Sequence, residues 1–599
     1  MKTFALASLH EVLRNWAGAL LAILAAVLLV GSGGFEIAHD LAVRLKWLEV
    51  VVALLFVAVW LAELVLAGKP SEAARYRRAE FILLAVALIA LGLLVFMPDA
   101  LQRIVAEEFS GRVGQLAMWL VRLFLFGCVW LQLLRAAEWI LSQGLRAEIL
   151  LAGSFLGIIV TGSMLLMLPN AMADEASPLS FADAIFTATS ATCVTGLVVR
   201  DTGSEFSSLG QVIIMGLIQV GGLGIATFVA LLSSFSKKTL PVSQMVAFRQ
   251  LVNAPALGDL RRRILGIVLI TLVVEALGAL LLFFFVDTGG SRLRHLEWAL
   301  FHSISAFCNA GFSLNVDNME SLSTNVGAVW TIMGLVVLGG LGFLVIPELL
   351  ALIWRGQSDL LPGRATRVGM FEFRVFRLSN QSRLSLIMTA VLLVSGLVVF
   401  WVFEAGGVLR GLAPGDAFTA SLFQSVSSRT AGFNTLPVAE FQNATLIFLA
   451  FLMLVGGCPV STAGGIKTVT FAVLLLGLRS LVTGAKNIEA FGRSIPARVV
   501  FSALNVFLLY IVSAIFGMMA LAWVHPEFSM RDVFFECFSA LSTVGLSTGV
   551  TPQLGTSGKF VLCVLMFVGR IGPIAMVLSV FQSTRAVNYE FPEEEVVVG

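Results

Sequence analysis

The chain is poor in charge. Only 13% of its 599 residues are Asp, Glu, Lys or Arg, and the formal net charge is +2. An ordinary soluble domain carries about a quarter. With no basic excess, a nucleic-acid partner is not expected. Histidine is scarce as well. His10, His39, His295, His302 and His525 are too dispersed to predict a metal site. The six cysteines (Cys128, Cys193, Cys308, Cys458, Cys537, Cys563) stand singly in apolar stretches without a C-x-x-C pair, which argues against zinc, redox chemistry and a disulfide framework. No constellation of His, Ser, Cys or carboxylates suits catalysis, so an enzyme is not expected. No cofactor is expected on the chain either, because no nucleotide-binding glycine fingerprint lies in a polar segment. The first apolar run, ending in "LLVGSGGFEIA", lacks a small-x-small cleavage site and reads as a retained span.

What the chain has in abundance is apolar surface: 58% hydrophobic residues and a mean hydropathy of +0.95. That composition belongs to an integral membrane protein. Apolar runs long enough to cross a bilayer, roughly 20 residues, lie near 15–32, 48–67, 81–98, 116–136, 149–169, 210–234, 264–286, 328–354, 385–404, 444–478, 500–524 and 558–583. These are twelve candidate spans. Lys69–Arg78, Ser236–Arg263, Arg355–Arg383 and Arg479–Arg498 are basic, whereas intervening loops carry Asp174, Glu175, Asp201, Glu205, Asp317 and Glu320. Basic loops mark the cytoplasmic side. Both termini are then cytoplasmic, as an even number of spans requires.

Four short segments remain, each between two full spans: "FADAIFTATSATCVTGL", "LEWALFHSISAFCNAGF", "FTASLFQSVSSRTAGF" and "VFFECFSALSTVGL". They align on Gly196, Gly311, Gly432 and Gly545, at spacings of 115, 121 and 113. A bulky residue falls ten positions before each glycine (Phe186, Phe301, Leu422, Phe535), and Leu or Phe follows it. Such a period means an internal fourfold repeat of span, half-helix, glycine turn, span. The expected fold is therefore an all-α polytopic membrane protein. Its four tandem repeats surround one central pore, and four additional transmembrane helices precede them. The boundaries are 1–148 for the amino-terminal region, then 149–240, 260–356, 380–482 and 498–585 for the repeats, and 586–599 for a cytoplasmic tail.

Irregular backbone at membrane depth is tolerated only when buried in protein or lining a watery cavity. A half-helix that stops midway aims its carbonyl end, the negative end of its dipole, inward, and glycine lets the following carbonyls turn to the axis. Thr192, Cys193, Val194, Thr195 and Gly196 then read as one wall of a cation filter made of backbone oxygens. The other walls are Cys308, Asn309, Ala310 and Gly311; Thr430, Ala431 and Gly432; and Ser542, Thr543, Val544 and Gly545.

Through "SATCVTGL" (190–197), "SAFCNAGF" (305–312), "SRTAGFNT" (428–435), "SALSTVGL" (539–546), "GGCPVSTAGGIKT" (456–468) and "GRIGP" (569–573), residues 149–599 resemble the Trk/Ktr/HKT superfamily of potassium transporters. The Ktr-type membrane subunit is the nearest in length and motifs. In that family four filter glycines go with potassium selectivity and a serine in the first goes with sodium; all four are glycine here. The resemblance implies K⁺ as the transported ion, possible activation by Na⁺, a homodimer in the lipid of the cell membrane, and a cytosolic RCK-type nucleotide-binding ring. That ring would dock on the basic loops 236–263 and 355–383.

Gly456, Gly457, Pro459, Gly464 and Gly465 cannot make a straight helix, so the sixth span of the repeat region (444–478) is expected to break. The resemblance makes that break a gate loop, with Cys458 and Val460 where the family usually shows serine and glycine. Arg570 lies inside the last span, where a charge is costly unless it faces a cavity or a partner. It either pairs with carbonyls to fix helix packing or, as the resemblance implies, stands at the pore wall by the gate. Lys467 either adds to that barrier or snorkels to the cytoplasm. Arg429 is expected behind the filter, holding its backbone. The stretch 60–96 faintly resembles part of a voltage sensor, but Leu116–Arg135 offers Arg122 and then nothing before Arg135, too little charge for steep gating. Two other readings stay open: a sodium-permeable or ion-coupled member of the same fold, and a secondary transporter of organic solutes with broken helices. The latter is disfavoured because such folds show inverted repeats.

Overall fold

The structure is a computed structural model that describes residues 18–34, 39–66, 89, 120–129, 132, 147–174, 176–224, 260–355, 366–368, 371–373, 378–485 and 487–580. Most of the expected span at 81–98, Lys69–Arg78, most of the two basic loops and the tail 586–599 lie outside the described residues.

The amino-terminal region supplies α1 (Gly18–Gly34), α2 (His39–Leu66) and α3 (Leu120–Val129). Phe56, Trp60 and Phe124 meet edge-to-face in its core, and Arg122 pairs with the buried Glu49 at 3.1 Å. Arg122 of the expected sensing span is thus a packing partner.

Each repeat begins with an uninterrupted helix: α4 (Ala147–Leu166), α7 (Leu260–Phe285), α10 (Asn380–Glu404) and α14 (Ala497–Val524). A half-helix follows in each: α5 (Phe181–Thr192), α8 (Arg292–Cys308), α11 (Pro414–Ser427) and α15 (Met530–Leu541). Their starts are written locally. Ser180, Ser291 and Ser529 cap α5, α8 and α15, their hydroxyls accepting from the N–H of Asp183, Arg294 and Asp532 at 3.1, 3.3 and 3.2 Å. α11 instead opens with Pro414, whose missing N–H costs nothing there.

The second spans are not straight. α6 (Ser208–Leu223) stops at Gly224, and α9 (Val326–Arg355) bends at Gly342. In the third repeat α12 (Asn443–Leu454) and α13 (Thr468–Thr483) are separated by a loop. In the fourth, α16 (Thr556–Ile571) gives way at Gly572 to α17 (Pro573–Val580). A break was expected in the third repeat alone; the structure breaks all four. Two short antiparallel hairpins lie between spans: β1 (Thr366–Val368) with β2 (Phe371–Phe373), and β3 (Ile488–Ala490) with β4 (Arg493–Ile495).

The repeats close into a ring because each second span packs on the next repeat's half-helix: α6 on α8, α9 on α11, α12 on α15, and α16 back on α5. The aligned apolar residues fill those seams. Phe186, Phe301 and Phe535 are buried, as are Leu197, Phe312, Phe433 and Leu546 after the glycines, while Leu422 is partly buried. Among the described residues, four helices are long and apolar enough to cross a membrane, the second span of repeat 2 and the first spans of repeats 2, 3 and 4.

Candidate functional site

The four predicted filter segments meet at their glycines. A Cβ added at Gly196 would overlap the Ala310 carbonyl oxygen and lie 3.0 Å from Gly311 Cα. One at Gly311 would lie 2.7 Å from Ala431 O and 3.0 Å from Gly432 Cα. One at Gly432 would overlap Val544 O, and one at Gly545 would overlap Thr195 O beside Gly196 Cα. The chain of approaches runs once round and returns to its start. These four backbones therefore close into one ring, with the carbonyl oxygens of Thr195, Ala310, Ala431 and Val544 each against the neighbouring repeat's glycine.

The backbone torsions repeat too. The glycines have φ of 91°, 71°, 78° and 98°, and the residues two positions earlier, Val194, Asn309, Thr430 and Thr543, have φ of 58°, 60°, 73° and 51°. For a non-glycine residue this region costs about 1–3 kcal/mol and persists only where the surroundings impose it. Part of what imposes it is a set of serines that sequence reasoning passed over. Ser190 Oγ accepts from Gly196 N–H and Ser539 Oγ from Gly545 N–H, both at 3.1 Å. Ser305 Oγ donates to Phe312 O at 2.7 Å, and Ser427 Oγ donates to Phe433 O. From the same serines, carbonyls accept the N–H of Thr195, Ala310, Ala431 and Val544 at 2.7–2.9 Å. The signal was present: serine stands six residues before the glycine in three repeats and five before in the third. Buried hydroxyls of Thr192, Thr195, Ser542 and Thr543 have no protein partner.

Next to this ring lies a second motif, of which only the copies at 456 and 569 were picked out from the sequence: Gly-Gly-Leu-Gly at 221–224 and 339–342, Gly-Arg-Ile-Gly at 569–572, and Gly-Gly-Cys-Pro at 456–459. Its first glycine lets the second span touch the end of its own half-helix. A Cβ at Gly221, Gly339 or Gly569 would overlap the carbonyl of Thr192, Phe307 or Leu541 respectively. Its last glycine makes the break, with φ of 77° at Gly224, 82° at Gly342 and 92° at Gly572.

The third repeat inserts a loop at this point. Val455 and Ile466 form its neck, with Gly456 N–H donating to Ile466 O at 3.0 Å and Ile466 N–H to Leu454 O at 2.9 Å. Cys458 N–H donates to Gly340 O and Phe343 N–H to Val460 O, each at 2.9 Å. Thr462 Oγ1 donates to Phe307 O at 3.1 Å. A Cβ at Gly464 would overlap Thr543 Oγ1, and one at Gly456 would lie 3.1 Å from Thr430 Cγ2, so the loop sits directly against two of the four glycine segments. Gly465 bends with φ 62°, and Val460, a β-branched residue, is held at φ 56°.

Arg570 occupies the second position of its glycine motif, where repeats 1 and 2 have Gly222 and Gly340. Its Nη1 donates to Thr462 O at 2.5 Å and its Nη2 to Gly221 O, joining the loop to the first repeat. The arginine is therefore paired with two carbonyls, one of the loop and one of α6. Lys467 Nζ donates to Ala463 O at 2.7 Å, closing the loop on itself. Arg429 was expected to hold filter backbone. Its Nη2 donates instead to Gly456 O of the loop at 2.9 Å. Among the described residues, no group of His, Cys, Asp and Glu could hold a metal ion.

Residues 129–587 match the TrkH family, described as cation transport proteins. The chain is 36% identical over 456 residues to the Ktr system potassium uptake protein B of Bacillus subtilis, covering 76% of this chain and 96% of that protein. It is 35% identical over 457 residues to the potassium/sodium uptake protein NtpJ of Enterococcus hirae, covering 75% and 96%. Its fold resembles the crystal structure of the potassium transporter TrkH from Vibrio parahaemolyticus, with a TM-score of 0.58 at 18% identity over 84% of this chain and 98% of the other. Four span–half-helix–span repeats closed round one glycine ring, and a family match across them, have one conclusion: the chain belongs to the TrkH family of cation transport proteins.

Proposed function

We propose that this chain is the translocation subunit of a potassium-uptake system, conducting K⁺ across the cell membrane. The observation that carries the reading is the cyclic approach of Gly196, Gly311, Gly432 and Gly545, each at positive φ and each against the carbonyl preceding the next. Backbone oxygens arranged in that way replace part of a cation's hydration shell. The four half-helices add the negative ends of their dipoles. The names of the similar potassium uptake proteins support the choice of ion. The likeness to a potassium/sodium uptake protein supports sodium permeation as the second reading, with the chain transporting both ions or activated by Na⁺.

The loop from Gly456 to Lys467, with Arg570, acts as the gate. It crosses from the third repeat to backbone of the second and, through Arg570, to the first. A cation passing this guanidinium in a poorly solvated passage meets repulsion of the order of kcal/mol. The subunit works as a homodimer with both termini cytoplasmic, and a cytosolic RCK-type nucleotide-binding ring acts on it from the basic loops. Uptake of ⁸⁶Rb⁺ and ²²Na⁺ into proteoliposomes, with and without that ring, tests the reading. Rubidium uptake that unlabelled K⁺ competes away more effectively than Na⁺ is expected; equal competition favours the second reading, and no uptake of either ion overturns both.

A further inference from the structure

Nine residues before its ring glycine, each half-helix carries a different side chain: Thr187, His302, Phe423 and Glu536. Two of them reach past the glycine to the chain that leaves it. His302 and Glu536 are fully buried in α8 and α15. His302 Nδ1 faces Trp298 O at 2.9 Å. A carbonyl only accepts, so the ring proton sits on Nδ1 and Nε2 is left as an acceptor. Nε2 takes the N–H of Leu314 at 3.3 Å and lies 3.0 Å from Ser313 Oγ. In the fourth repeat, Glu536 Oε1 accepts from Ser547 Oγ at 2.5 Å and from Thr548 N–H at 3.0 Å, while Oε2 accepts from Thr551 Oγ1 at 2.6 Å. Ser313 and Ser547 stand two residues after Gly311 and Gly545, and Leu314 and Thr548 three after. The two serines match in a further contact: their Oγ atoms accept the N–H of Asn315 and Gly549 at 3.0 and 2.9 Å.

Repeats 2 and 4 lie across the ring from each other, because each repeat packs on the next in chain order. Repeats 1 and 3 do not make the link. Thr187 Oγ1 has no protein partner, and Val198 stands where Ser313 and Ser547 stand. In the third repeat Phe423 has no polar atom to offer, and Asn434, at the serine position, donates through Nδ2 to Glu320 of the second repeat at 2.8 Å. Ser305 and Ser539, which hold the backbone at or just after the ring glycines, follow His302 and Glu536 by three residues and so share their helix face. In repeats 2 and 4 the segment leaving the glycine is therefore pinned, by two successive rungs, to the same half-helix that delivers it.

We propose that His302 and Glu536 are matched positioning residues for ion conduction, each bracing the exit from its ring glycine. An imidazole and a carboxylate differ in shape and charge. What they share here is an acceptor for the hydroxyl two residues, and the N–H three residues, beyond the glycine. A buried N–H left without an acceptor is costly, so losing the brace lets this backbone turn elsewhere for a partner. The carbonyls of Ala310 and Val544, which precede Gly311 and Gly545, then lose the placement that suits a cation. This action on conduction rests on the filter reading above; the brace itself does not.

In the full-length protein, His302→Leu and Glu536→Leu remove the acceptor, whereas His302→Gln and Glu536→Gln keep one. Hydrogen exchange at the amides of Leu314 and Thr548 reads the brace directly. Uptake of ⁸⁶Rb⁺ into proteoliposomes, with Na⁺ as competitor, reads the ring. Each Leu variant should lose protection at its own amide, need about tenfold more rubidium for half-saturation and discriminate less against sodium, with its maximal rate little changed. Each Gln variant should recover most of these losses. Undiminished protection in a Leu variant overturns the brace. Lost protection with native half-saturation and preference overturns its action on the ring, and Gln variants as impaired as the Leu variants overturn hydrogen-bond acceptance as the shared role. Where a Leu variant does not reconstitute, Ser313→Ala or Ser547→Ala takes its place and should raise half-saturation about threefold; native values there overturn the proposal. Absence of rubidium uptake by the unmutated protein is a failure of the transport reading alone, and hydrogen exchange then decides the brace.

Discussion

At Gly196, Gly311, Gly432 and Gly545 the four repeats do the same thing; at the breaks just beyond, three of them do and the third does not. The first ring is held by local features present in every repeat: a half-helix, a serine behind it, and two residues at positive φ. The second ring is regular in repeats 1, 2 and 4, where one glycine at positive φ ends or bends the helix. In repeat 3 the Val455–Lys467 segment is thrown across the ring and tied to backbone of other repeats. The difference teaches where each property resides. Equal repeats make a ring whose geometry no single repeat sets alone, while the lone irregular segment is held by contacts that the other repeats do not repeat. Ion preference should depend on the symmetric ring and rate on the asymmetric one.

The strongest way to break that division is at the symmetric ring. Gly196→Ser puts a side chain on the Ala310 carbonyl and strains a backbone at φ 91°. Overpacking of this kind costs about 1–3 kcal/mol. Rubidium-over-sodium preference, read from competition in proteoliposomes, should fall about tenfold or more; an unchanged ratio would remove this glycine from the filter.

Next in size is the asymmetric ring. Shortening the loop across Val460–Ala463, or changing Arg570→Ala, should raise ⁸⁶Rb⁺ uptake about tenfold, the effect of relieving ~1.4 kcal/mol of barrier, with preference fixed. Arg570→Ala also leaves the Thr462 and Gly221 carbonyls without their donor, so thermal stability should be measured beside flux. Stable proteins with unchanged or slower uptake would mean that the loop is packing and no gate.

A smaller effect sharpens the comparison. Ser190→Ala removes the acceptor for Gly196 N–H, a loss of about 1 kcal/mol. Preference should drop several-fold with little change in maximal rate. A change in rate with constant preference would show that the two rings are mechanically coupled.

The least effect is expected from deleting residues 1–140, because the ring closes through α16 and α5 without α1, α2 or α3. Rubidium uptake should persist, and neutralising Arg122 should not shift voltage dependence, since that arginine is paired with Glu49. A folded deletion protein without transport would make the amino-terminal helices part of the conducting unit.

Much of this was legible in the chain itself. The fourfold period, the half-helices (three of them behind a capping serine), the glycine at each turn and the break at 456–465 all follow from residue types at fixed spacings, because helix starts and positive-φ turns are decided within a few residues. The serines six residues before the glycines and the Gly-x-x-Gly breaks were equally present in the letters, but their meaning depends on what they touch.

The sequence by itself determined a membrane chain of four like repeats, each with an interrupted half-helix ending at glycine. The order of the ring, each second span on the next half-helix and α16 on α5, was decided only when apolar faces of distant segments packed together. So were the partners of the buried arginines. Arg429 and Arg570 look alike in the sequence, as charges in apolar surroundings. One is bound to Gly456 in its own repeat, and the other ties the loop to the first repeat. A buried guanidinium must find carbonyls wherever the finished packing leaves them, and no local spacing specifies where that is.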